Sequence, residues 1–275
     1  LIELAKSAGF TVAEINRLLG GITRRTSPGE RWRRLAQAKL AELEQRIAEA
    51  ERKAFLFTDI TDGKGRAYDI PVAVGALAAS EAVYSIGMGV PVEDIAAKWE
   101  RALASPIAPQ EIGNAACHEV VLTGADLEGE GNGLDALPIP VSTPGFDSAP
   151  TLTATNCITR DPDTGVQNMG TYRAGLKAPG RLGVKNFVNL GQGGHAHWLK
   201  YKERGEKMPM AIVLGCPPVV AYCGPQKLAE GVDEIGVAGG LAGAPIEVVA
   251  ARTVDLQVPA HSEIVIEGLI DTEFL

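Results

Sequence analysis

The sequence predicts an α+β protein with an N-terminal helical hairpin or coiled-coil segment, a small α/β layer, and a β-rich domain of the barrel or split-barrel type. Three patterns predict it: helical spacing of apolar residues at the start, mixed patterns next, and strand-like runs between Pro and Gly in the remainder. The corresponding boundaries are 1–54, 55–135 and 136–275. The 275 residues are 45% hydrophobic and 22% charged, which excludes a disordered or collagen-like chain.

Two helical patterns occupy residues 1–54. Thr11 and Glu14 form a capping box, and this first helix ends at the glycine pair 20–21. From about residue 30, apolar residues recur at alternating steps of four and three, an a/d seam formed by Ala36, Leu40, Leu43, Ile47 and Ala50. The seam covers only about two heptads, so it could form a coiled coil or pack on the body of the same chain.

Charge is divided unequally along the chain. Residues 1–54 hold 11 Lys or Arg against seven Glu and no Asp, a net of +4. Since the whole chain carries −8, residues 55–275 carry −12. The acidic body argues against nucleic-acid binding through residues 55–275, because phosphate affinity comes from Lys and Arg.

Residues 55–275 alternate between helical and strand-like patterns. Helical patterns cover 73–89 and 91–105, and residues 118–124 favour a strand. A loop rich in Gly, Asp and Pro then joins two subdomains. The later strand-like runs cover 151–161, 210–215, 245–258 and 262–270, and a helix follows the glycine-rich stretch 191–194. That stretch is only a weak phosphate-binding signal, and a plain loop is favoured.

The four cysteines, Cys117, Cys157, Cys216 and Cys223, have no C-x-x-C spacing, which is typical of reduced core residues in a cytoplasmic protein. No apolar run reaches about 18 residues without a charge, so we expect no membrane span. The chain starts at Leu1 without a signal-peptide pattern, so we expect a fragment of a longer protein.

The most informative segment runs from Thr159 to Arg173. Residues 161–165 form a tight turn between two strands, with Gly165 suited to a left-handed position. Asn168 and Arg173 lie five residues apart, which puts them on opposite faces of a regular strand. For both to serve one pocket, the backbone must bulge or turn, and Gly170 is where that costs least.

Residues 1–54, with "GFTVAEINRLL" followed by "LAQAKLAELEQRIAEAERKA", resemble MerR-type transcriptional regulators. In that family the first part ends the DNA-binding domain and the second begins a dimerising coiled coil. The recognition helix and wing would precede Leu1, so we expect no specific DNA binding by this chain. A regulatory or ligand-sensing protein without catalysis is the alternative functional hypothesis.

Residues 55–275 resemble the UbiD decarboxylases. The matching stretches include "ITRDPDTGVQNMGTYR" (158–173), "ERGEKMPMAIVLGCPP" (203–218), "EGVDEIGVAGGLAGAPIEVV" (230–249) and "VDLQVPAHSEIVIEG" (254–268). The resemblance implies a flavin-reductase-like split barrel and non-oxidative decarboxylation or carboxylation of an aromatic or α,β-unsaturated acid. It also implies prenylated FMN (prFMN) as the cofactor, a divalent ion (Mn²⁺ or Mg²⁺), and K⁺ as an additional candidate. The parent protein would be a homo-oligomer.

The resemblance also assigns residues. Asn168 and Glu234 correspond to metal ligands beneath the cofactor phosphate, and the third ligand is a histidine in the loop before the next helix. His195 is the better match, with His197 left open. Arg173 corresponds to the catalytic arginine at the reactive edge of the flavin. Together with these ligands and Arg173, Thr171 and Tyr172 complete the expected cofactor contacts.

Taken singly, these residues have ordinary interpretations as loop, surface or turn residues, and only their joint fit favours a site. His118 and His261 are interpreted as structural. The two catalytic glutamates of the family lie in a Glu-x-Pro-x-Gly-Glu motif that would follow Leu275. We therefore expect no turnover by this chain alone, and neither Glu267 nor Glu273 is assigned a catalytic role.

Overall fold

A computed structural model describes residues 37, 54–62, 65–141, 148–185, 192–229 and 231–273. The predicted capping box at Thr11, the a/d seam and residue 191 of the glycine-rich stretch lie outside the described residues.

Short strands and short helices alternate along the described chain. The strands are β1 (Phe55–Phe57), β2 (Ile60–Thr61), β3 (Ala67–Tyr68), β4 (Val72–Val74), β5 (Gln110–Glu111), β6 (Thr151–Leu152), β7 (Asn156–Arg160), β8 (Gln167–Gly170), β9 (Ala174–Ala178), β10 (Arg181–Val184), β11 (Met208–Leu214), β12 (Glu247–Ala250), β13 (Gln257–Pro259) and β14 (Ile264–Ile270). The helices are α1 (Glu81–Met88), α2 (Ile95–Ala104), α3 (Gly193–Arg204), α4 (Pro218–Cys223) and α5 (Glu234–Ala242).

A four-stranded sheet in the order β14-β11-β7-β8 organises the core. Alternate side chains of β11 point to opposite faces, as strand geometry requires. Met210 and Ile212 pack with Trp198 of α3 on one face, whereas Ala211 and Val213 join the apolar cluster of α4 and α5 on the other. The sheet therefore separates two apolar clusters, one on the α3 side and one on the α5 side.

The predicted split barrel is not confirmed. The described strands form five separate sheets, and none of these sheets closes on itself. β10 and β14 are edge strands of two different sheets, and a cavity of about 910 Å³ between them is lined by residues of both strands. Because these two edges do not pair in the described part of the chain, the coarser prediction of an α+β protein holds and closure does not.

Two element predictions were wrong. Residues 118–124 form no strand: 3-10 turns at Ala116–His118 and Gly124–Leu127 flank an irregular stretch whose apolar side chains are exposed. The helix predicted over 73–89 covers only α1, because Gly75 has a φ of +76° and Ser80 caps the helix by accepting a hydrogen bond from the Val83 amide. The helix over 91–105 is confirmed, and strands lie within all four runs predicted in the second half. Two of these runs are interrupted: 151–161 holds β6 and β7, and 245–258 holds β12 and β13.

All four cysteines are free, as predicted. Burial raises the pKa of Cys157 and Cys216 to about 11 and that of Cys223 to about 12. These thiols are therefore core residues with little nucleophilic character. Within the described ranges, no helix has the length and apolar composition needed to cross a bilayer.

Candidate functional site

The predicted turn joins β7 and β8 into an antiparallel hairpin, as expected. The Asp161 amide donates to the Val166 carbonyl at 2.9 Å, and Gly165 has a φ of +77°. Lys200 of α3 holds this turn through Asp161 at 2.7 Å and Asp163 at 3.1 Å. Burial alone would raise the pKa of Asp161, but hydrogen bonds from Lys200 and the Asp163 amide hold it at about 2. The turn is thereby fixed against the helix that carries both candidate histidines.

The hairpin register brings Asn168 next to the start of α3. Asn168 lies opposite Thr159, and its side chain packs against Gly193, the first residue of the helix. A Cβ placed on Gly193 would lie 1.9 Å from Asn168 Oδ1. The Asn168 Nδ2 atom is buried and has no hydrogen-bond partner within the described structure. The Asn168 side chain also interacts with the Tyr172 hydroxyl. Since the N and O ends of an amide are interchangeable by rotation, Asn168 can turn an oxygen toward a ligand.

Glu234 reaches the same strand from the other side of the sheet. It is the first residue of α5, is 6% exposed, and accepts a hydrogen bond from the Met169 amide at 2.9 Å. Burial raises the pKa of Glu234 to about 7, and the neighbouring Asp233 adds to that effect. The carboxylate therefore touches the backbone of the residue that follows Asn168.

The two candidate histidines differ in their surroundings, and both lie in α3 rather than in the loop predicted before it. The helix begins earlier than expected because Gly193 and Gly194 form its first turn. His197 is 8% exposed, and its Nδ1 lies 2.9 Å from the hydroxyl of Thr159. His195 is half-buried and stacks on the Trp198 ring, with centroids 6.2 Å apart.

The strand that carries Asn168 ends at Gly170, which confirms the predicted interruption. A Cβ on Gly170 would lie 2.3 Å from the Tyr172 hydroxyl, so only glycine leaves room for this ring. The buried Tyr172 hydroxyl accepts a hydrogen bond from the Gly194 amide at 3.3 Å. The Thr171 amide donates to the Gly224 carbonyl at 3.2 Å, and Arg173 is exposed.

The structure thus links Asn168 to Glu234 through one backbone amide, and to His197 through its strand neighbour Thr159. The role of Thr159 was missed in the sequence, although the hairpin register that places it opposite Asn168 was available from the turn. Within the described ranges, no three His, Cys, Asp or Glu residues form a group that could hold a metal ion. The candidate ligands are the amide of Asn168, the carboxylate of Glu234 and one histidine ring. They offer oxygen and nitrogen donors, a combination that fits Mn²⁺ or Mg²⁺.

Glu267 has a structural role in the described chain. Its carboxylate accepts hydrogen bonds from the Arg252 amide and from the amide and hydroxyl of Thr253. It therefore holds the turn between β12 and β13, which agrees with leaving it out of the catalytic set.

Two family models match the chain. The UbiD model, described as the 3-octaprenyl-4-hydroxybenzoate carboxy-lyase Rift-related domain, matches residues 110–274. The MerR DNA-binding model matches residues 1–53. Both resemblances found in the sequence are thereby confirmed.

Similar solved structures include the UbiD-class enzyme HmfF from Pelotomaculum thermopropionicum in complex with FMN, with 32% identity over 74% of this chain and 44% of that chain and a TM-score of 0.66. An evolved dimeric form of HmfF in complex with prFMN has 32% identity over 74% of this chain and 45% of that chain, with a TM-score of 0.63. The 3,4-dihydroxybenzoic acid decarboxylase AroY from Klebsiella pneumoniae has 26% identity over 72% of this chain and 41% of that chain, with a TM-score of 0.63.

This chain spans less than half the length of each of these three enzymes. The UbiD model nevertheless covers more than half of this chain, and it includes the β7–β8 hairpin, α3 and α5, which carry the candidate site. The chain therefore belongs to the UbiD family.

Proposed function

We propose that this chain provides the cofactor-binding part of a UbiD-type carboxy-lyase that decarboxylates, or in reverse carboxylates, an aromatic or α,β-unsaturated acid. Family membership supports the reaction class. The HmfF structures hold FMN and prFMN, which supports a flavin as the cofactor, and AroY acts on an aromatic acid. Because the chain spans less than half of these relatives, the activity, substrate and partners belong to the proposal.

The observation that carries the proposal is the buried Asn168 Nδ2 atom, which has no hydrogen-bond partner in the described structure, next in sequence to Met169, whose amide donates to the buried Glu234 carboxylate. We propose that these two side chains, with His195 or His197, hold Mn²⁺ or Mg²⁺ beneath the cofactor phosphate, and that K⁺ binds nearby. A divalent cation would compensate for burying the charge of Glu234, which otherwise carries a large desolvation cost.

Thr171, Tyr172 and Arg173 have separate tasks in this proposal. Tyr172 holds the amide of Gly194 and so fixes the α3 start against the strand end. Thr171 is exposed next to Gly224, where it can line the flavin site. Arg173 is exposed and permanently charged, which suits it to hold and orient the substrate carboxylate. When bound, prFMN supplies the electron sink for breaking the bond to CO₂.

We also propose a cellular location and an oligomeric state for the whole protein. Four free cysteines support a cytoplasmic location, since disulfides are rare there. We propose that the whole protein is a homo-oligomer.

The test combines native mass spectrometry with Mn²⁺ electron paramagnetic resonance on protein produced together with a flavin prenyltransferase. Wild type should carry prFMN and one Mn²⁺. Asn168→Leu should lose both, because it removes the amide without shortening the side chain, whereas Asn132→Leu changes an exposed asparagine and should keep both. Retention of Mn²⁺ and prFMN by the Asn168 variant would contradict the proposal.

A further inference from the structure

Asn156 is a buried amide whose oxygen lacks a partner. It begins β7, is 4% exposed, and donates through Nδ2 to the Cys216 sulfur at 3.0 Å. Its Oδ1 atom is buried and accepts no hydrogen bond within the described part of the chain. Buried carbonyl oxygens are normally satisfied, and one left without a donor costs free energy. The Asn156 oxygen therefore calls for a donor close to it.

The hairpin register places Thr171 beside this oxygen. Cys157 lies opposite Gly170, so Asn156 and Thr171 are the next residues on the two strands. A Cβ built on Gly224 would lie 2.3 Å from Asn156 Oδ1 and 2.8 Å from Thr171 Oγ1. The two oxygens are therefore at most about 5 Å apart, and a change of the Thr171 rotamer can bring its hydroxyl to Asn156.

Gly224 allows the two side chains to converge. It follows α4 with a φ of −54°, a backbone conformation that any residue can adopt. Space, rather than conformation, therefore requires glycine here, since a Cβ would collide with the Asn156 amide and the Thr171 hydroxyl. The Thr171 amide also donates to the Gly224 carbonyl at 3.2 Å, which holds the two segments together.

We propose that Asn156 is a positioning residue for flavin binding and that it acts through Thr171. The Thr171 hydroxyl donates to Asn156 Oδ1, which leaves the lone pairs of the hydroxyl to accept a hydrogen bond from a ligand. Thr171 is exposed, so a ligand can reach it, whereas Asn156 is buried behind it. The pair thus selects a ligand group that donates.

The donating group is a ribityl hydroxyl of the flavin. This assignment rests on the proposed function, in which Asn168 lies at the flavin phosphate and Arg173 at the reactive edge of the ring. Thr171 lies between these two residues along the chain, as the ribityl chain lies between phosphate and ring along the flavin. A ribityl hydroxyl can donate, whereas the phosphate and the ring carbonyl groups accept.

Titration of the flavin-free full chain with riboflavin and with lumiflavin tests this assignment by fluorescence quenching. Lumiflavin has the same ring but lacks the ribityl chain, and neither compound carries the phosphate of the proposed metal site. Wild type should bind riboflavin more tightly than lumiflavin. In Asn156→Leu this preference, the ratio of the two Kd values, should fall at least about fivefold. The Kd of lumiflavin should stay within about twofold of wild type, which a general loss of structure would not allow.

A double variant shows whether Asn156 acts through Thr171. Thr171→Val should lower the preference by a similar factor, and adding Asn156→Leu to it should lower the preference no further, because both changes remove one hydrogen bond. Thr171→Val alters an exposed side chain, so it tests the site even where Asn156→Leu folds poorly. The matched control Thr58→Val changes another exposed threonine and should keep the wild-type preference.

Three results would overturn the inference. These are an unchanged preference in Asn156→Leu or Thr171→Val, losses that add in the double variant, and a wild type that binds FMN without preferring riboflavin to lumiflavin. Each of them leaves the proposed function standing. A wild type that binds no flavin would overturn the proposed function and this inference together.

Discussion

A methyl group on Gly193 should disrupt the candidate metal site while leaving the fold intact. Gly193 opens α3, and its α-carbon faces the side chain of Asn168. In Gly193→Ala the new Cβ would lie 1.9 Å from Asn168 Oδ1 and 2.5 Å from its Cγ. Ordinary contact begins at 3.4 Å, so one of the two groups must move by about 1.5 Å.

The energetic cost of this change is the difference of two terms. Forcing extra volume into a packed contact costs about 1–3 kcal/mol, whereas replacing glycine by alanine in a helix gains up to about 1 kcal/mol. We expect a net destabilisation of about 0–3 kcal/mol. A shift of 1.5 Å far exceeds the roughly 0.2 Å tolerance of metal–ligand distances, so Mn²⁺ affinity should fall at least about tenfold.

Urea unfolding and Mn²⁺ titration measure the two effects separately. The matched control is Gly268→Ala in β14, where a Cβ meets nothing within 4 Å and stability should stay within about 0.5 kcal/mol of wild type. If Gly193→Ala were more stable than wild type by about 1 kcal/mol and bound Mn²⁺ equally well, Asn168 would not lie against the helix start.

Three further changes test the surroundings of the site and the N-terminal segment. Thr159→Val removes the hydroxyl that contacts His197 Nδ1, so it should lower the free energy of unfolding, measured in urea, by about 1–3 kcal/mol. An unchanged free energy of unfolding would show that this contact is absent. Asp161→Asn should lower Tm at neutral pH. The pKa of Asp161 is depressed from 3.8 to about 2, so the stabilisation from its charged form is present above pH 4 and is lost as the pH falls toward 2. In thermal scans, the difference in Tm from wild type should therefore shrink between pH 4 and 2. A difference that stays constant over that window would refute the ion pair with Lys200. The chain should show no sequence-specific DNA binding by fluorescence anisotropy at about 150 mM salt, and sub-micromolar affinity with discrimination against scrambled DNA would contradict this.

The hairpin was predictable because its signals are local. The turn at 161–165 and the glycine at 165 define β7 and β8, and the period of two then fixes which side chains share a face with Asn168. The break at Gly170 was predicted because Asn168 and Arg173 would otherwise lie on opposite faces of one strand. In the structure the Tyr172 ring lies against Gly170, where a Cβ would collide with it.

Features that depend on long-range packing were not predictable in the same way. The approach of Glu234 to Met169 joins residues 65 positions apart, and only the family resemblance suggested it. The apolar run at 120–122 favoured a strand, yet it pairs with no strand in the described part of the chain, so tertiary context overrides its propensity. The predicted split barrel is not confirmed, because the pairing of strand edges such as those of β10 and β14 depends on the whole assembly of strands.

We propose that Asn168, Glu234 and one histidine of α3 hold a divalent ion under a flavin phosphate. A crystal structure of the protein with Mn²⁺ and prFMN, with anomalous data at the manganese edge, would locate this ion. We expect one anomalous peak within about 2.0–2.6 Å of Asn168 Oδ1, a Glu234 carboxylate oxygen, and a ring nitrogen of His195 or His197. A manganese peak that lacks Asn168 and Glu234 among its ligands, or a bound flavin whose phosphate lies elsewhere, would contradict it.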